Sequence, residues 1–190
     1  MTLSLQTVGP VDFAAALPYV DDIEVNGQTF TNTNGNFSTI LFNPPISSGI
    51  VKIELLNCIG LEGFGIADKL VHYDRNEHPY SKGWRNIVQF ERIGKIQHYD
   101  DWIGYLKQFE DGCHVALEVN MDNNPRTLTF FVGNEEIIHY ITNIPDSIRF
   151  WAFLMNKGDS FQVLKFERLG EPSAKHGEGS RAWEYGTIWK

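Results

Sequence analysis

The sequence predicts an all-β domain, a sandwich or barrel of short antiparallel strands with at most one or two short helices. Three observations carry that expectation. Residues 114–132, HVALEVNMDNNPRTLTFFV, alternate with period two on either side of a turn. Runs of the same kind recur along the chain and are separated by NTNGN, FNPPISSG, VGNEE, NIPDS and MNKGDS, all rich in turn formers. The chain has 190 residues, 42% hydrophobic and 13% aromatic, enough to bury the core of one folded domain.

Each strand has its own justification. In the run over 50–58, Val51, Ile53 and Leu55 share a face opposite Lys52 and Glu54. Runs over 28–31, 37–42, 65–71, 87–93 and 95–98 carry strand-forming residues between turn signals. In the hairpin, Val115, Leu117, Val119 and Met121 oppose His114, Glu118, Asn120 and Asp122. After the turn at Asp122, Leu128, Phe130 and Val132 oppose Thr127 and Thr129, so one face is expected in the core. Runs over 136–141, 147–155 and 160–168 complete the set. The last loses its parity where Phe161 and Val163 give way to Leu164 and Phe166, as a bulge or a strand buried on both faces would. The one helical candidate is DDWIGYLKQFEDG, capped by Asp100 or Asp101, with Trp102, Leu106 and Phe109 at helical spacing. After a linker, GEPSAKHGEGS, the odd positions Trp183, Tyr185 and Trp189 fall on one parity, and a terminal strand docked on the body is expected, with a partner-binding tail as the alternative.

Charge and cysteine content narrow the function. Twenty-four acids against sixteen Lys plus Arg give a net charge of -8, the wrong sign for a broad nucleic-acid surface or an anionic membrane. No apolar run reaches the length of a transmembrane helix. The first residues carry no basic region before an apolar core, and Pro10 and Asp12 interrupt the hydrophobicity, so a secretory leader is not expected. The two cysteines, Cys58 and Cys113, lie in strand-like runs and are expected as reduced, poorly reactive thiols. A cytoplasmic location follows from these features.

Motifs for chemistry are sparse. VHYDRNEHPY gathers His72, Asp74, Glu77 and His78, but no closed four-ligand spacing accompanies it, and a charged surface loop is expected instead of a metal site. MDNNP lacks the Gly and terminal Glu of a helix-loop-helix calcium site. The carboxylate pairs Glu135-Glu136 and Asp100-Asp101 are sequence neighbours, which a strand points to opposite faces. No nucleophile elbow or phosphate loop is present. Neither catalysis nor a cofactor is expected.

Five pieces in order resemble the SPRY domain family. PPISSGIVKIELL is similar to its first long strand, EGFGIADK to its short strand with small residues, and WRNIVQFERIGKIQH to its tryptophan strand and returning partner. FEDGCHVALEVNMDNNPRTLTFFVGNEEI resembles its most recognisable portion, with Cys113-His114 in place of an acidic residue and Gly133-Asn134 inverting an Asn-Gly turn. PDSIRFWAFLMNKGDSFQVLKF resembles the closing strands. The resemblance implies a concanavalin-like bent β-sandwich of two antiparallel sheets over 37–169, an N-terminal extension over 1–36 packed on it, and a linker with an aromatic tail over 170–190. It also implies a non-catalytic module that recognises a peptide or loop of a partner protein. The family's binding loops correspond to 42–48, 71–84 and 154–159 with the region of Asp68, and they bring Asn43, Pro44, Asp68, Tyr73, Arg75, Met155, Asn156 and Lys157 forward as site residues.

On this expectation one end of the sandwich binds. Arg75 offers its guanidinium to an acidic group of the partner without a role in stability, and Tyr73 and Met155 supply apolar contact. A carbohydrate-binding sandwich is the alternative, with Trp84, Trp102, Trp151 and Tyr105 as platforms for sugar rings.

Overall fold

A computed structural model describes residues 7–189. Two sheets face each other across one core. The larger runs in the order Arg181–Glu184, His139–Thr142, Thr127–Val132, His114–Asn120, Ile50–Ile59, Ser160–Leu169, Thr29–Asn32 and Ile23–Asn26. Gly9–Pro10 and Glu135–Glu136 add to its flanks. The smaller runs Asp101–Ile103, Lys95–His98, Ile87–Glu91, Leu61–Asp68, Ile148–Leu154, Ser38–Asn43 and Ala14–Ala16. The segment before residue 37 therefore supplies strands to both sheets; the first six residues of the expected extension lie outside the described residues.

The alternation read from the sequence is the alternation that packs. Leu117 pairs with Phe130 across the hairpin and with Ile53 on its other side, and all three are buried between the sheets. Phe130 stacks on Phe90 at 5.3 Å between ring centroids and meets Phe64 edge-on at 5.6 Å. In the closing strand the register slips between Val163 and Lys165, a bulge that turns Leu164 outward and returns Phe166 to the core.

Two expectations are corrected. Residues 100–112 are not helical. Asp101–Ile103 pairs antiparallel with Lys95–His98, and the chain then crosses back so that Phe109 donates to the Arg92 carbonyl at 3.1 Å and buries its ring. A positive φ of 63° at Tyr105 interrupts any helical path there. The hairpin, moreover, is covered on both faces. Glu118 on its outer parity is only 2% exposed, because its carboxylate accepts the backbone N–H groups of Ser173 and Ala174 at 3.0 and 3.2 Å and the Ser173 hydroxyl. Glu136 takes the N–H groups of Lys175 and His176 at 2.7 and 2.9 Å, and the His176 ring lies flat on Tyr140 at 3.7 Å. Two carboxylates thus strap the linker to the sheet.

The expected terminal strand is present: Arg181–Glu184 pairs in parallel with His139–Thr142, and Trp189 is buried at the edge of the core. Truncating Phe130 to Ala would remove a fully buried ring from the centre of this packing. The expected loss is about 3–5 kcal/mol in chemical denaturation, with unchanged dependence on denaturant.

Candidate functional site: a pinned loop and the groove beside it

The smaller sheet has an apolar outer face as well as an apolar inner one. Leu41, Ala67, Ile87, Trp151 and Phe153 lie on it, and the Trp151 ring reaches across Gly65, where a Cβ would come within 2.9 Å of it. Water is kept from this face by the loop over 69–86, which presses Val71 and Tyr73 onto it. The loop is held along its whole length. Arg149 donates to the carbonyls of Lys69 (3.2 Å) and Val71 and to Asn43 Oδ1 (3.3 Å); burial pulls its guanidinium pKa downward. The Tyr73 hydroxyl donates to the Pro79 carbonyl at 2.6 Å, and burial, reinforced by Glu77, holds that phenol protonated. Further along, Thr39 Oγ1 donates to the Glu77 carbonyl at 3.0 Å and the Phe37 N–H to Asn76 Oδ1 at 3.0 Å. Lys82 pairs with Glu77 at 2.8 Å and with Asp74 at 3.4 Å.

Upon this base stands a ladder of rings. Phe37 meets His78 at 4.3 Å, His78 stacks on Tyr80 at 4.8 Å, and Tyr80 on Trp84 at 4.8 Å. Partial burial holds the His78 imidazole below its ordinary pKa. Past Trp84 the surface falls into a groove of about 550 Å³ lined by Trp84, Arg85, Asn86, Tyr99, Asp100 and Ile188. Asn86 also borders a smaller hollow of about 270 Å³ shared with Asp68, Leu70 and His72. The Arg85 guanidinium lies over the Tyr99 ring at 4.7 Å, and among the described residues it forms no ion pair. Leu70 is 80% exposed and Ile188 67% exposed, so apolar side chains face water on both sides of Asn86.

The structure does not gather the eight expected residues into one site. Asn43 and Asp68 end their strands on the groove side of the smaller sheet, with Pro44 following Asn43. Met155, Asn156 and Lys157 follow Leu154, whose partner is Ser38 at the opposite end. That far loop folds on its own Asp159, which accepts from the N–H groups of Met155 and Asn156 at 3.2 and 2.6 Å. Tyr73 is 7% exposed and belongs to the packing beneath the loop.

Arg75 is also engaged. Its Nε and Nη2 bond both oxygens of Asp22 at 2.8 and 2.7 Å, and its guanidinium lies over Tyr19 at 4.3 Å. The Asp22 side chain is 1% exposed and takes further bonds from Asn34 and Asn36. Arg75 chiefly holds the Asp22 carboxyl below its ordinary pKa, against the opposing effect of burial. The bidentate pair expected with a partner is thus made within the chain, and Arg75 does carry a stabilising contact.

Other assignments resolve in the same way. His72 is exposed, Asp74 and Glu77 belong to Lys82, and His78 to the ring ladder. Of the proposed sugar platforms, Trp151 is buried, Trp102 lies under the Lys95 ammonium at 4.5 Å, and Tyr105 is fully exposed. Cys58 and Cys113 are free thiols, half-buried, and burial raises the Cys58 pKa. Sequence reasoning missed Arg85, Tyr99 and Ile188. The adjacent Tyr99 and Asp100 both have positive φ, which no sequence pattern announced.

No family model matches the sequence, and no curated protein matches it. Among solved structures the chain is similar to the SPRY domain of human HERC1, with TM-score 0.59 and 14% identity over 83% of this chain and 100% of that one. It is similar to a human SPRY domain, with TM-score 0.60 and 12% identity over 85% of this chain and 99% of the other. The metal-free carbohydrate recognition domain of Emp46p also aligns, with TM-score 0.52 and 11% identity over 82% and 86%. Likeness at these identities is likeness of fold: the chain is a SPRY-type β-sandwich.

Replacing Arg75 with Ala strands a buried carboxylate. The variant should melt ~5 °C or more below wild type at neutral pH. Asp22 has a depressed folded-state pKa, so its stabilisation is present above the ordinary carboxylate range and fades as pH falls through it. Melting curves across that range should show the gap between wild type and variant closing in acid.

Proposed function

We propose that this chain is a non-catalytic protein-recognition module that grips a peptide or exposed loop of a partner in the groove lined by Trp84, Arg85, Tyr99 and Ile188. One observation carries the reading: a loop pinned from beneath at every turn displays an aromatic ladder and, at its open end, an arginine that forms no ion pair among the described residues. Ordering such a surface on binding costs little entropy, and Trp, Tyr and Arg are the residues that anchor interfaces. Asp68, Pro44 and the exposed Leu70 extend the same end of the sandwich. Six of the groups with displaced pKa values, Asp22, Tyr73, His98, His139, Arg149 and Tyr185, are occupied in holding segments together, which supports binding over catalysis. Among the described residues no helix is long and apolar enough to cross a membrane. Two free thiols suit an adaptor of the cytoplasm.

A glycan-binding reading is favoured by one feature, the fully exposed Tyr105 beside Trp102, together with the likeness to a carbohydrate recognition domain. It is the second choice because Lys95 already covers the Trp102 ring. Retention on a glycan array that is lost in Trp102→Ala and kept in Arg85→Ala would favour it.

The discriminating experiment is affinity capture with wild type beside Arg85→Ala, read by mass spectrometry and followed by titration of the partner recovered. Arg85→Ala should weaken that partner about ten-fold or more while melting within about 2 °C of wild type. A partner that binds both proteins equally, with its crosslinks on the far loop of Lys157, would displace the assignment.

A further inference from the structure

The C-terminal segment does more than close an edge. Arg181–Glu184 joins the larger sheet through the Arg181 N–H to the Ile138 carbonyl at 2.7 Å and the Tyr185 N–H to the Thr142 carbonyl at 2.8 Å. It then crosses to the smaller sheet, where the Tyr185 hydroxyl donates to the Arg85 carbonyl at 2.7 Å and the Trp189 N–H to Asp101 Oδ2 at 3.1 Å. Ile188, between these anchors, is one wall of the groove.

Two imidazoles receive this segment, and each does so in its neutral form. His98 is fully buried, and its Nδ1 lies 2.7 Å from the Ile87 carbonyl. A carbonyl only accepts, so Nδ1 carries the proton and Nε2 is bare; at 2.8 Å that Nε2 accepts the Gly186 N–H. His139 Nδ1 accepts the Trp183 indole N–H at 2.9 Å, and an indole N–H only donates. A proton added to either ring would set N–H against N–H and abolish the bond.

The surroundings compensate only in part: the Ile87 and Trp84 carbonyls favour a protonated His98, and burial outweighs them. Around His98 stand the rings of Tyr185 at 4.2 Å, Trp189 at 5.4 Å and Tyr99 at 5.9 Å. The nearby Asp101 carboxylate is occupied by backbone N–H groups of Trp102 and Trp189, and the Arg85 guanidinium lies over Tyr99. Beside His139 is the positive Arg181, while Glu184 is held by Asn143 at 2.7 Å. Among the described residues neither imidazole bonds a carboxylate.

We propose that residues 181–189 form a strap released by mild acid, so that protonation of His98 and His139 removes the Ile188 wall and opens the recognition groove. The gating of binding rests on the proposed function; the release of the strap does not. Burial holds both imidazoles below the ordinary value of 6.5. The released segment therefore leaves rings that take protons more readily, and docking weakens as pH falls through that value.

Hydrogen exchange on the full chain at pH ~7.5 and ~5.5, corrected for intrinsic rates, tests this. Protection at Tyr185 and Gly186 should fall ten-fold or more in acid while the hairpin over 114–132 keeps its own. A His98→Gln/His139→Gln variant should lose the pH dependence. Should that variant not fold, nitrogen-15 resonances of the wild-type imidazoles read the same event, because Nε2 of His98 must gain its proton as the strap opens. Equal protection at both pH values, or imidazoles that titrate while the strap stays protected, would overturn the proposal. The Arg85→Ala comparison at pH ~7.5, with the strap docked, tests the groove separately.

Discussion

The smaller sheet is apolar on both faces, and that constraint organises much of the molecule. Its inner face packs into the common core, but Leu41, Ala67, Ile87, Trp151 and Phe153 on the outer face need cover of their own. The Trp151 indole can lie flat only because the strand beside it has Gly65 at the crossing point. Among the described residues no second sheet covers it. A long loop does instead, and a loop that buries Val71 and Tyr73 can be ordered throughout. Its outward side then becomes a surface of fixed shape, so the requirement to exclude water beneath the loop also arranges Tyr80, Trp84 and Arg85 above it.

Charged groups taken out of water do related work elsewhere. Asp22, Arg149, Glu118 and Glu136 each bind an irregular stretch: the turn at Asn34 and Asn36, the start of the long loop, and the two halves of the C-terminal linker. An unpaired buried charge is costly, so each of these groups tolerates few arrangements of its partners. Segments without ladder hydrogen bonds thereby acquire definite positions.

The C-terminal segment draws on both kinds of constraint and adds a conditional one. The backbone bonds of its parallel pairing contain no titratable group, whereas the bonds into His98 and His139 exist only for neutral rings. On the proposed reading, a strap that bridges the two sheets and supplies a groove wall couples the state of those rings to the shape of the groove.

Period-two alternation by itself determined which side chains of Ile50–Ile59 and of the hairpin face the core, because a strand offers only two faces. The burial of Leu117 and Phe130 and the docking of the tail strand were legible on that ground, while the lost parity near Leu164 left a bulge and a strand buried on both faces open. The resemblance of five ordered segments supplied the two-sheet sandwich. Which loops share an end was a matter for the tertiary structure. Ser38–Asn43 and Ile148–Leu154 pair antiparallel, so their C-terminal ends point in opposite directions and the loops after them cannot meet. The spacing of Trp102, Leu106 and Phe109 suited a helix equally well, until pairing with Lys95–His98 decided otherwise. Arg75 looked free because its carboxylate partner, Asp22, is 53 residues away along the chain. Local pattern reports the face of an element; only packing reports its neighbours, because neighbours are set by contacts between residues that the sequence keeps far apart.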